Sequence, residues 1–248
     1  MHDFRKEIYL TFDLDWAREE VVAYTLDILE RAGVPATVFV THDGTFLKRM
    51  RDNPLFELAV HPNFVPLEPV DYNVQDFMAW AHEKLEWYKE LVPEATAVRS
   101  HGLTQNSRLL DLFKDMGYER EANLLITLSS GLTLFPFYHW NGLMRVPYFW
   151  EDDIHCIEVR RGIYKDWRIE PFVYNNSIKI FTFHPIHIFL NSDSLDRYEK
   201  ARPFFKEGDE LHDYVDNECR GDRNFLMDVI SFGKSEGYTF KRINEIEL

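Results

Sequence analysis

The hydrophobic positions along the first half of the chain switch period in a regular order. In "IYLTFDLDW", residues 8–16, an apolar, β-prone run stops on two acids, Asp13 and Asp15. The segment "AREEVVAYTLDILERAGV" then places Val21, Val22, Thr25, Ile28 and Leu29 on one helical face, with Gly33 as its C-terminal stop. "ATVFVT" reads as a second strand, a short helical piece runs from Phe46 to Arg51, and "LFELAVH" reads as a third strand. The Pro-rich "HPNFVPLEP" that follows cannot be helical. From Asn73 to Leu91, Phe77, Ala81, Leu85, Tyr88 and Leu91 keep helical spacing; "TAVRSH" supplies a fourth strand and "NSRLLDLFKDMGY" the next helix. Strands alternating with helices predict a parallel sheet with crossover helices, in which ligands gather at the carboxyl ends of the strands.

The second half is less regular. "MRVPYFWEDD" is expected as a loop, "IKIFTFHPIH" as a strand, and "GDRNFLMDVISFGKSEGYTFKRI" as a final helix and strand, while the charged stretch from Ser192 to Arg223 has no period that assigns it. No linker divides the chain and no internal repeat appears, so residues 1–248 are expected to form one α/β domain.

Charge removes several partner classes. With 42 acidic against 28 basic residues the net charge is −14, which repels phosphate backbones and anionic membrane surfaces, so nucleic acid is not an expected partner. "MHDFRKEIYL" has no apolar leader core and no run approaches the roughly 20 residues of a membrane span, so the chain is expected to be cytoplasmic. Cys156 and Cys219 lack a C-x-x-C pairing and fit reduced thiols.

The last residues of the expected strands are Asp13 and Asp15, His61, Arg99 and His101, and His184. In a parallel sheet these ends meet. Strand alternation would turn Asp13 and Asp15 to one side, and two acids, two or three imidazoles and a guanidinium at one rim suit a divalent metal, with zinc the default. One carboxylate would then ligate the ion while the other, held by Arg99, stays ionised as a general base. His184, closing an apolar strand, is well placed for general acid work, and His187 three residues on would line the same cleft. Trp150 with Glu151, Asp152 and Asp153 is either a hydrated acidic loop or a group that orients His184; Tyr148 and Trp150 are candidate stacking platforms for a sugar. Each feature has a plainer use, as a helix cap for the two acids or an ion-pair partner for Arg99, and it is their coincidence at strand ends that favours a site.

The run T-F-D-x-D after an apolar strand, the His-bearing loop, the Arg motif, the Trp- and Asp-bearing loop and the late strand ending in "FTFHP" make the chain similar to the polysaccharide deacetylases, the NodB-like carbohydrate esterases, over most of its length. The resemblance implies an irregular (β/α) barrel of about seven strands, one fewer than the regular barrel's eight. It also implies metal-dependent removal of N- or O-acetyl groups from sugars, with Asp13 as the base, Asp15 as a metal ligand and His184 as the general acid. Three motifs differ from the family pattern. The usual T-F-D-D-G is stretched to "TFDLDW", and the usual H-x-x-x-H is reduced to His61 because Val65 fills its second position. His101 of "RSHG", where the family has Pro, would replace the missing imidazole, with Asn63 as the substitute; the metal set is then Asp15, His61 and His101. The pattern resembles a branch associated with surface polysaccharide synthesis. Hydrolysis of a non-sugar amide by the same machinery, or a silent carbohydrate-binding or scaffold role, are the alternatives it leaves.

Overall fold

A computed structural model of the chain describes residues 4–65, 74–164, 166–206 and 208–248. Ten strands among these residues form a single curled sheet: β1 (Glu7–Asp13), β2 (Ala36–Val40), β3 (Phe56–Val60), β4 (Ala97–Val98), β5 (Arg120–Glu121), β6 (Phe137–Tyr138), β7 (Met144–Arg145), β8 (Trp150–Glu151), β9 (Lys179–Phe183) and β10 (Thr239–Lys241). Their order is β6-β7-β5-β4-β3-β2-β1-β9-β8, with β10 beside the first half of β1. All pairs are parallel except β6 with β7. The strand count exceeds the expected seven because β5 to β8 are two-residue pieces, too short to leave a period in the sequence. β7 and β8, near the two ends of the order, are joined by residues 146–149, and Tyr148 bridges to Leu125 across the gap. That segment brings the ends of the sheet together, which is how an irregular (β/α) barrel arises from an open strand order.

Burial explains the strong signal of the early strands. Every residue of β1, β2 and β3 is buried, as expected for parallel strands covered on both sides. The helix Glu19–Ala32 buries Val21, Val22, Thr25, Leu26 and Leu29, carries Glu19 and Glu20 in its first turn, and stops at Gly33 with φ 61°. Helices Thr45–Arg51, Val74–Leu91, Ser107–Asp115 and Asp222–Ser235 fall where the spacing predicts them. The Pro-rich loop is irregular over residues 61–65, and its remainder, like Asn73, lies outside the described residues.

Two expectations in the second half need correction, and one unassigned stretch gains a structure. "MRVPYFWEDD" is not a plain loop: it carries β7 and β8, and Asp152 opens a helix, Asp152–Arg160, whose N-terminal dipole favours Asp152 and Asp153. The strand in "IKIFTFHPIH" ends at Phe183, because Pro185 starts the helix Pro185–Leu190 with His184 as its N-cap. The charged stretch from Ser192 folds into a helix, Leu195–Ala201, and the short turns Arg202–Phe204 and Asp209–Tyr214. Among the described residues no helix is long and apolar enough to cross a membrane.

An unusual feature of the core is His155, 1% exposed and ringed by Trp150, Tyr164, Trp167, Phe172 and Phe225. Burial pushes its pKa down to about 4. The unfolded chain therefore takes up a proton between pH 6.5 and 4 that the folded chain refuses, so stability falls as pH drops through that window, by about 2 kcal/mol at pH 5. His155→Phe is expected to shrink the fall in melting temperature between pH 7.5 and pH 5. His187, also pushed down to about 4, keeps the fall from vanishing. An equal fall in variant and parent would remove His155 as its source.

Candidate metal and catalytic site

Parallel register gathers the site. Val60 pairs with Val98 and Val40 with Val60, so His61 and Arg99, each the residue after its strand, stand side by side. Phe12 pairs with Phe183, which sets Asp13 next to His184. Glu151 pairs with Thr182 on the far side of β9.

Asp13 is the last residue of β1 and is buried. Its Oδ1 accepts a hydrogen bond from Arg99 Nη1 at 2.8 Å. Arg99, 0% exposed, is fixed by further bonds from Nη1 to Thr11 Oγ1 (3.2 Å) and from Nε to the Ala122 carbonyl (3.0 Å), and lies between the rings of Phe39 and Tyr148. Burial works against the guanidinium charge, but Asp13, Tyr148 and Glu151 together outweigh it and raise the Arg99 pKa. A guanidinium in this position holds Asp13 in one orientation.

Asp15 reaches the same side by a different route from the one the alternation predicts. The strand ends at Asp13, and Asp15 and Trp16 take φ of 43° and 56°, the left-handed region that non-glycine residues seldom occupy. Two such residues in succession store about 1–3 kcal/mol each, the kind of strain found where a site demands a fixed geometry. The turn is held by Trp16 N–H donating to Thr41 Oγ1 at 3.1 Å. It aims Asp15 Oδ1 at His101 Nδ1 (3.1 Å) and His61 Nε2 (3.3 Å), and Oδ2 at His184 Nε2 (3.7 Å). Asp13 Oδ2 lies 3.9 Å from the same His61 nitrogen, so the two carboxylates do converge.

The donor atoms of Asp15, His61 and His101 all lie within 4.8 Å of one another. Adjacent donors about 2.0–2.1 Å from a tetrahedral ion sit about 3.3 Å apart, so the 3.1 and 3.3 Å separations fit a divalent cation of zinc's size. The electrostatics fit too. Burial would raise the Asp15 pKa, yet His184, His101 and His61 outweigh it and hold the carboxyl well below its usual range. His101 is pushed up by its bond to Asp15, against burial. A pocket that favours protonated imidazoles also favours a metal cation. Asn63, the other candidate, spends its Oδ1 on the Val65 N–H at 2.8 Å.

On the opposite side, Asp152 accepts two bonds from His184, one from its backbone N–H (2.6 Å) and one from Nδ1 (2.7 Å). Of the three acids considered for orienting His184, Asp152 makes the hydrogen bonds. Burial alone would lower the His184 pKa, but Asp152 and Asp15 raise it well above its ordinary value. Glu151, another acid of the same stretch, lies within 4.8 Å of both Asp13 and His184, and burial and Asp153 push its pKa up to about 8. His187 is buried behind His184 and helps line a small cavity of about 200 Å³ with Asp15, Asp153 and Tyr198.

Two expected sugar platforms are corrected. Tyr148 is 0% exposed, gives its hydroxyl to Glu151 Oε2 at 2.7 Å and packs against Arg99. Trp150 is 1% exposed and stacks on Phe225 in the core at 4.4 Å. Neither offers a free face, because the strand pairing of the segment turns both rings inward. The exposed ring beside the site is Trp16, set edge-on to His101 at 5.1 Å.

A family model for WbmS-like polysaccharide deacetylases matches residues 10–202. The chain belongs to this family. It is similar to a crystal structure from Bordetella bronchiseptica described as a candidate polysaccharide deacetylase involved in O-antigen biosynthesis, with 37% identity over 92% of this chain and 91% of that one and a TM-score of 0.81. Two more distant structures share the fold. One is a family 4 acetyl xylan esterase from Clostridium thermocellum in complex with a cobalt ion (16% identity, 97% of this chain and 89% of that one, TM-score 0.50). The other is a CE4 family pseudoenzyme from Bacillus anthracis (13% identity, 98% and 66%, TM-score 0.50). None of the curated proteins matches the sequence.

Proposed function

We propose that this polysaccharide deacetylase family member removes an acetyl group, N- or O-linked, from a carbohydrate during synthesis of a surface polysaccharide, using a divalent cation held by Asp15, His61 and His101. The observation that carries the reading is the pairing of Asp13 with the buried Arg99 at 2.8 Å beside the Asp15, His61 and His101 donors, with the His184 and Asp152 pair facing them. The likeness to the Bordetella protein, at 37% identity, supports the surface-polysaccharide setting.

When bound, a divalent cation, most simply zinc, supplies Lewis acidity toward the acetyl carbonyl and acidifies water. Arg99 holds Asp13 aimed through its 2.8 Å bond, and Asp13 takes the proton as water adds to the carbonyl carbon. Asp152 holds His184 through Nδ1 and leaves Nε2 to protonate the departing sugar nitrogen or oxygen. Turnover of a panel of acetylated sugars, with and without a chelator, tests the reading. Loss on chelation and recovery with zinc or cobalt is expected. Turnover that survives complete metal removal would overturn the metal role, hydrolysis of non-sugar amides alone would overturn the substrate class, and no turnover at all would favour a silent binding role.

A further inference from the structure

Helix Val74–Leu91 carries two stripes. Ala81, Leu85 and Tyr88 face the core and are buried. Trp80, Glu83, Lys84 and Trp87, at spacings i, i+3, i+4 and i+7, form a neighbouring stripe, anchored where Trp80 packs on Phe64 and Phe77 at the edge of the core. With Trp16 and Asn63 this stripe lines a cleft of about 460 Å³, within the roughly 300–1,000 Å³ of small-ligand sites. Trp87 is 45% and Trp16 42% exposed, whereas most large aromatic side chains of the chain lie in its core. The rings are held in place. Trp87 packs edge-on against Tyr88 at 4.8 Å, and Tyr88 donates its hydroxyl to the His61 carbonyl at 3.0 Å, tying the stripe to the metal-ligand loop. Lys84 Nζ rests over the Trp80 ring at 4.7 Å. Trp16 is the shared wall, since the ring that bounds the cleft is the one set against His101.

We infer that this cleft is a second sugar subsite, in which a pyranose ring adjoining the acetylated sugar stacks on Trp87 and Trp16 and is hydrogen-bonded by Glu83, Lys84 and Asn63. The inference rests on the deacetylase reading for the identity of the neighbouring ring. Aromatic faces interleaved with one acid, one base and one amide match a neutral sugar, which offers apolar C–H faces and hydroxyls that both donate and accept. A nucleotide sugar fits less well, because a diphosphate calls for clustered cations and the cleft's one ammonium, Lys84, sits beside Glu83. The substrate is therefore an oligosaccharide that runs over Trp16 toward helix Val74–Leu91, and not toward the exposed rings of the β6 edge, Phe137, Tyr138 and Trp140.

The test is equilibrium binding by titration calorimetry on the metal-loaded full chain, with a panel of acetylated mono- and tetrasaccharides and UDP-N-acetylglucosamine as probes. Trp87→Ala is expected to weaken tetrasaccharide binding about ten-fold and monosaccharide binding little, with metal content unchanged. Trp140→Ala, at the other end of the sheet, is expected to leave binding as it is. Failure of every tetrasaccharide to bind the parent chain, equal tetrasaccharide binding by parent and Trp87→Ala, or a loss in Trp140→Ala instead, overturns the subsite. So does UDP-N-acetylglucosamine binding more tightly than any tetrasaccharide through Trp87. Binding is read without turnover, so a chain that binds through Trp87 yet hydrolyses nothing would keep the subsite and remove the deacetylase reading.

Discussion

Asp13→Asn is expected to keep nearly stoichiometric metal while turnover falls by roughly 10²–10⁴-fold, the scale of a lost general base. Asp15→Asn is expected to lose most of the metal as well. The two acids sit two residues apart and their carboxylates both approach His61 Nε2, at 3.9 and 3.3 Å, so chemistry and not distance alone must separate them. What separates them is their partners. Asp13 Oδ1 is taken by Arg99, which neutralises the carboxylate and makes it a weaker competitor for a cation, while Asp15 has no arginine or lysine bonded to it among the described residues and meets His61, His101 and His184. An amide at position 15 is also a poorer ligand than a carboxylate. Metal content by elemental analysis, measured with the rate on both variants, decides. Equal metal loss would make both acids ligands, and full activity in Asp13→Asn would remove it as the base.

The site was legible in the sequence to the extent that it sits on strand ends. His61 and His184 each follow a strand with a clear apolar run, Arg99 follows the short β4, and parallel register does the rest. Alternation is an incomplete reason for Asp15 to face the same side as Asp13: it ends with β1, and the left-handed turn at Asp15 and Trp16 completes the approach. No sequence pattern announces that turn, since neither residue is a glycine. Tyr148 and Trp150 look like platforms in the sequence because aromatic residues near a site look alike whether they face a cleft or the core; only the pairing of the two-residue strands turns them inward. The strip Trp80, Glu83, Lys84 and Trp87 was present in the sequence at helical spacing, but the stronger apolar stripe of the same helix masked it.

His184→Ala is expected to lower turnover by roughly 10²–10⁴-fold with metal retained, since the imidazole meets Asp15 only at 3.7 Å and is not among the three donors that best fit the ion. Asp152→Asn should cost nearly as much without touching the reacting atoms. Asp152 accepts from both the backbone N–H and Nδ1 of His184, and an asparagine can satisfy one of these but not both while carrying no charge to sustain the imidazolium. If Asp152 acts through His184, then once His184 is gone the second substitution has nothing left to disturb. The double variant His184→Ala with Asp152→Asn is therefore expected to be about as slow as His184→Ala alone, the non-additivity of residues that work as one unit. Losses that multiply would mean that Asp152 contributes through the fold or through His187, and unchanged turnover in His184→Ala would pass the role of proton donor to another group, with Glu151, 3.9 Å from His184 Nε2 and carrying a pKa pushed up to about 8, the next to test.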